Sequence, residues 1–127
     1  MAKYFLLIAA VSGLLAVALG AFGAHALKGK LASDLMAVYQ TAVQYHFYHT
    51  LALFGVALLL LQCPRHTALR AGGGCFALGL VLFCGSLYAL AFSGIRWLGA
   101  ITPVGGLAFM LGWLALAWFG IEQADRL

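Results

Sequence analysis

Between Lys3 and Lys28 no charged side chain interrupts the chain, and Tyr4 to about Ala24 is apolar almost throughout. About 20 such residues, rising about 1.5 Å each as a helix, are enough to cross the roughly 30 Å hydrocarbon core of a bilayer. Three further apolar runs follow, from Leu35 to Gln62, Leu69 to Phe92 and Leu98 to Gly120. A chain of 127 residues that is 65% hydrophobic and only 8% charged cannot hide so much apolar surface inside a soluble core. The expected fold is all-α: an integral membrane bundle of four transmembrane helices, with the lipid bilayer as its main partner. It forms one domain over residues 1–127, with spans at about 4–24, 35–62, 69–92 and 98–120.

The residues between the runs support this division. Lys3, Lys28, Lys30, Arg65, Arg70, Arg96 and Arg126 give a net charge of +4 but stand in ones and twos, as membrane-flanking anchors do. No basic face suited to nucleic acid results. Ala24-His25-Ala26 imitates a secretory cleavage site, yet the apolar run before it is longer than the usual signal-peptide core of about 7–15 residues, so it reads as a retained span. Lys28-Gly29-Lys30 is too charged and glycine-rich for lipid, and Ser33 or Asp34 can cap the helix that follows. That second span, at about 28 residues or about 42 Å, exceeds the hydrocarbon core. Either it tilts, or its first turns lie at the interface, where Tyr39, Tyr45 and Tyr48 are comfortable. Cys63-Pro64 ends it. Gly72-Gly73-Gly74 interrupts the start of the third span, and Thr102-Pro103 with Gly105-Gly106 loosens the start of the fourth. Ser12, Ala16 and Gly20 recur at four-residue spacing, a face that lets helices approach closely. Cys63, Cys75 and Cys84 read as small apolar fillers. Four spans put both termini on one side, and four basic residues there against three opposite lean towards a cytoplasmic amino terminus.

One stretch is chemically unlike the rest. Tyr39 to Thr50 holds three tyrosines, two glutamines and two histidines just before apolar sequence resumes. On a helix Tyr39, His46 and His49 fall within about a quarter turn of one another, with Thr50 beside them. Gln40 and Gln44 form a neighbouring stripe, and Tyr45 and Tyr48 flank the histidines. Polar groups at membrane depth must face protein or water, so the stripe should point into the bundle. His25, Ser86, Tyr88 and Thr102, each near an end or break of another span, are its expected partners.

Gly20-Ala21-Phe22-Gly23-Ala24-His25, the segment Tyr39 to His49, Phe83-Cys84-Gly85-Ser86-Leu87-Tyr88 and Gly99-Ala100-Ile101-Thr102-Pro103-Val104-Gly105-Gly106 together resemble the small membrane proteins called domain of unknown function 423. That family is related to eukaryotic transmembrane protein 256. The resemblance runs in order along nearly the whole chain. It implies a four-span protein, in bacteria of the cytoplasmic membrane, and no known reaction. Cys84 stands where the family pattern has serine, which tells against hydroxyl-specific work there.

Three readings of the polar stripe follow. In the first, His25, Tyr39, Gln40, His46, His49, Ser86, Tyr88 and Thr102 bind a small polar ligand or ion, or line a path. Neutral imidazole both donates and accepts, which suits a proton relay, whereas the lack of Asp or Glu inside any span disfavours proton-coupled cation exchange. In the second, the same groups only fix helix packing, and the protein is a structural or accessory subunit of a homo-oligomer or larger membrane complex. In the third, His46-x-x-His49 with His25 or a cysteine holds a metal or haem, although no third ligand is set by spacing. No cofactor is implied. Ser86 has no carboxylate to orient a histidine, so no catalytic constellation and no enzymatic activity is expected. Arg96 and Trp97, in the tight turn between the third and fourth spans, read as interface anchors.

Overall fold

The computed structural model describes residues 1–126; Leu127, the last residue of the expected domain, lies outside the described residues. Four long helices carry the fold: helix 1 (Ala2–His25), helix 2 (Ser33–Gln62), helix 3 (Thr67–Ser93) and helix 4 (Thr102–Ala124). All four spans are long and apolar enough to cross a membrane. In hydrocarbon a backbone amide finds no water, and the helix is the one open-ended structure that satisfies its own amides.

Helix ends follow local chemistry, with some departures from the sequence expectations. Helix 2 is capped at Ala32, so Ser33 and Asp34 are its first helical residues and neither caps it with a side chain. Asp34 is instead held at the positive end of the helix and pairs with Arg96 at 2.5 Å. Helix 2 ends at Cys63, ahead of Pro64. Helix 3 stops at Gly94, whose φ of 70° any β-carbon would oppose and whose amide closes on the Leu90 carbonyl at 2.8 Å.

The interruption expected at Gly72-Gly73-Gly74 is absent; those residues are regular α-helix within Thr67–Gly79. The irregularity comes later, as a single π turn at Leu80–Cys84, after which the α-helix resumes over Gly85–Ser93. Nor is helix 4 loosened where its proline and glycines suggested. A 3₁₀ turn at Arg96–Ala100 takes up the first residues of the expected span, and the regular helix starts with Pro103 in its first turn, where the missing amide costs no bond.

The helices pack as an open antiparallel row. Helix 1 lies against helix 2, helix 2 against helix 3, and helix 3 against helix 4. Helices 1 and 3 meet only briefly, and helices 1 and 4 share no packing interface among the described residues. Four aromatic rings sit where a neighbouring helix has a glycine: Tyr39 on Gly23, Phe5 on Gly73, Phe109 on Gly79 and Phe76 on Gly112. With no hydrophobic effect between helices in lipid, this ring-on-glycine contact is how close packing is reached. Gly105 is tighter still, since a β-carbon there would strike the backbone of Phe83. Two polar pairs mark the ends of the row: Asp34 with Arg96 at one, and His66 with Glu122 at 2.9 Å at the other.

Candidate functional site

Helix 2 sits inside the row, so its polar stripe is covered from both sides. Tyr39 is 1% exposed, His49 5% and His46 7%. The two histidines, three residues apart, diverge to different neighbours.

His46 anchors a chain of neutral groups linking three helices. Its Nδ1 lies 3.0 Å from Tyr88 Oη on helix 3, and its Nε2 lies 3.0 Å from Ser12 Oγ on helix 1. Ser12 Oγ is in turn 2.6 Å from Thr50 Oγ1. Each of these four groups can donate and accept, so the chain can be written with its protons running in either direction. Just outside it, the Tyr39 hydroxyl donates to the Leu19 carbonyl, and the Tyr39 ring meets Tyr88 edge-on at 5.5 Å.

His49 faces helix 4. Its Nδ1–H donates to the Tyr45 carbonyl at 2.9 Å, and the Trp113 indole N–H donates to its Nε2 at 3.1 Å. A carbonyl only accepts and an indole N–H only donates, so the partners select the neutral imidazole with its proton on Nδ1. A second proton would set N–H against N–H. The ring lies flat on Phe109, centroids 3.6 Å apart, which completes a clamp between helices 2 and 4.

The expected partners are thus brought together only in part. Tyr88 joins His46. Ser86 and Thr102 bond each other at 2.7 Å, tying helix 3 to the start of helix 4 away from both histidines. His25 is exposed at the end of helix 1, and Gln40 is exposed beside a groove that helix 2 shares with Gly20, Gly23 and Ala24 of helix 1. Since His46 and His49 point apart and His25 is remote from both, the shared metal site loses its geometry; no group of three His, Cys, Asp or Glu suited to a metal forms among the described residues. Arg96 and Trp97 are exposed at the Asp34 end, with Arg96 held by its ion pair. Tyr45 and Tyr48 are not interfacial. They flank His49, whose partner Trp113 is near the middle of helix 4, while Thr50 meets Ser12 near the middle of helix 1.

Ser12 and Trp113 are the residues that the pattern of the sequence did not single out as ligands of the stripe. Ser12 carried a signal, as the only hydroxyl on the small-residue face it shares with Ala16 and Gly20. Trp113 carried none. Cys84, read as a filler, is buried in the π turn and helps to floor a crevice.

That crevice, of about 510 Å³, opens between helices 1 and 3 where the two scarcely touch. Its walls are apolar, including Leu7, Val11, Leu15 and Val81, and its floor is Ser12, His46, Cys84 and Tyr88. A second crevice, of about 1020 Å³, lies on the other side of helix 2, between it and helix 4, with Tyr45, Tyr48, Phe83, Phe109 and Trp113 around His49.

Fold and site together define a small four-span integral membrane protein with a buried, uncharged hydrogen-bonded centre. The family model described as "Protein of unknown function (DUF423)" matches residues 19–106, and the chain belongs to that family. Similar proteins include the UPF0382 membrane protein YwdK of Bacillus subtilis, 46% identical over 90% of this chain and 93% of that protein. The UPF0382 inner membrane protein YgdD of Escherichia coli K12 is 43% identical over 98% of this chain and 93% of that protein. A third, the UPF0382 membrane protein SERP0230 of Staphylococcus epidermidis, is 41% identical over 90% and 92%. No solved structure matches the chain. The protein is an integral protein of the cytoplasmic membrane, as its four apolar helices and these relatives show.

Proposed function

We propose that the protein binds an uncharged, lipid-soluble molecule carrying one hydrogen-bonding group, and that it holds this ligand in the crevice between helices 1 and 3 without transforming it. The observation that carries this reading is the floor of that crevice, where Ser12, His46 and Tyr88 line an otherwise apolar cleft open to the bilayer side. A cleft of about 510 Å³ falls within the usual range for small-molecule sites. Its floor bears no formal charge and the three acidic residues of the chain lie outside it, which favours a carbonyl or hydroxyl over an ion. A central path has less support, because helices 1 and 4 do not close the row into a ring. The packing reading is favoured for the other half of the stripe: His49 is held between a carbonyl and an indole N–H, whereas the partners of His46 are hydroxyls that can still accept a further hydrogen bond, so His49 serves as a clamp.

The test uses purified protein in lipid nanodiscs and a panel of long-chain ketone, quinone, alcohol, alkane and ionised acid. Uncharged hydrogen-bonding compounds should raise the unfolding temperature, and alkane and ionised acid should not. Gly85→Leu, at a lining position with no atom within 4 Å of a built β-carbon, fills the cleft and should abolish the shift. The reading fails if no uncharged compound shifts wild type, or if Gly85→Leu responds as wild type does.

A further inference from the structure

The crevice between helices 2 and 4 poses a separate problem, because two phenol hydroxyls beside it lack any partner. The hydroxyls of Tyr39 and Tyr88 are both bonded, whereas those of Tyr45 and Tyr48 make no hydrogen bond among the described residues. Tyr48 is 57% exposed. It also precedes the residue that Trp113 meets near the middle of helix 4, so it stands near the middle of the membrane. A tyrosine side chain is much shorter than the about 15 Å to either surface of the hydrocarbon, so it cannot carry its hydroxyl out to water. Acyl chains offer no acceptor, and an unpartnered hydroxyl in such surroundings is costly.

Something outside this chain must meet it, and the shape of the face says what. Tyr48 and Leu51 project from helix 2 as an exposed ridge that forms one wall of the crevice of about 1020 Å³, with His49 and Phe109 also lining it. A ridge next to a groove on one face is what a two-fold interface requires, each copy filling the other. Hydroxyls suit that symmetry because each can donate to one neighbour and accept from another.

We infer that this face is the interface of a homodimer, in which Tyr48 of each copy enters the crevice of the other and hydrogen-bonds a tyrosine hydroxyl there. Helix 1 and the ligand cleft lie on the other side of helix 2, so dimerisation leaves that cleft open.

The test is single-molecule photobleaching, or energy transfer, of labelled protein reconstituted in liposomes over a range of protein-to-lipid ratios. Wild type should pair above the random-occupancy control. Tyr48→Phe removes only the hydroxyls, and at about 2.8-fold in equilibrium constant per interhelical hydrogen bond the symmetric pair should weaken dimerisation by about eightfold. Gly106→Leu fills the groove from a position where a β-carbon meets Phe83 only at ordinary contact distance, and it should leave monomers. Wild-type protein that stays monomeric at every ratio would overturn the proposal, and capture of a lipid-like molecule against Tyr48 would then be the alternative occupancy. Undiminished pairing in both variants would also overturn it.

Discussion

Substituting Tyr88 by phenylalanine removes one hydroxyl and leaves its ring in place, so it isolates a single link of the His46 chain. Interhelical hydrogen bonds in membranes average about 0.6 kcal/mol and reach about 1.7 kcal/mol, so Tyr88→Phe should cost about that much on unfolding in mixed micelles. Ser12→Ala breaks two links, to His46 and to Thr50, and should cost more. The double variant should fall short of the sum, because both partners act on one imidazole. Strict additivity would mean that the chain does not act as a unit. At the other histidine, His49→Phe keeps the flat contact with Phe109 but orphans the Trp113 N–H, at a cost of about 1–3 kcal/mol. Adding Trp113→Phe should recover part of that loss, and equal stability of the single and double variants would show that the indole bond is immaterial. The burial of Tyr39, His46 and His49 was legible in the sequence, because a polar stripe at helical spacing has only one comfortable direction in lipid. Their partners were not legible. Side chains converge according to how far each helix is rotated about its own axis, and Ser12 and Trp113 owe their roles to that rotation.

Among the elements, the spans were readable to within a few residues, since length and charge alone delimit them, but the irregularities were misplaced. Glycine was read as a mark of broken helix. In this fold Gly73, Gly79 and Gly112 are helical positions emptied to receive a ring, and the glycines say more about the neighbour than about their own backbone. The contrast is measurable. Gly105→Ala drives a β-carbon into the Phe83 backbone and should destabilise by about 2 kcal/mol or more. Gly74→Ala meets open space in a regular helix and should be neutral or stabilising by up to about 1 kcal/mol. Equal effects at the two sites would refute the seating argument. The π turn has no comparable signature in the sequence, although Gly79 and Gly85 bracket it. It turns Cys84 towards the ligand cleft and Phe83 towards the opposite crevice. Deleting Val81 lets four α-helical residues replace the five of the π turn with nearly the same total rotation, so the contacts of Ser86 with Thr102 and of Tyr88 with His46 should survive; loss of both would show that the π turn is not a one-residue insertion.

At the scale of the whole molecule, four helices in an open row give two lateral crevices instead of one central cavity. The even number of spans sets both termini and the loop at Pro64 on one side, and the slight excess of basic residues there favours the cytoplasm. A green fluorescent protein fused at the carboxyl end should therefore glow, whereas alkaline phosphatase fused there should be inactive; the reverse pattern would invert the topology. The row also bears on how the protein is made. Helices 1 and 2 form one hairpin and helices 3 and 4 another, joined by the short turn after Gln62. Most ring-on-glycine contacts lie within a hairpin, as in Gly23 with Tyr39 and Gly79 with Phe109, while Phe5 on Gly73 crosses between the two. A ribosome delivering the chain to the membrane can thus complete one half before the other begins, and the covalent link between them is dispensable. Residues 1–64 and 65–127, produced as separate polypeptides in the same cell, should find each other in the bilayer and copurify through the seam where His46 meets Tyr88.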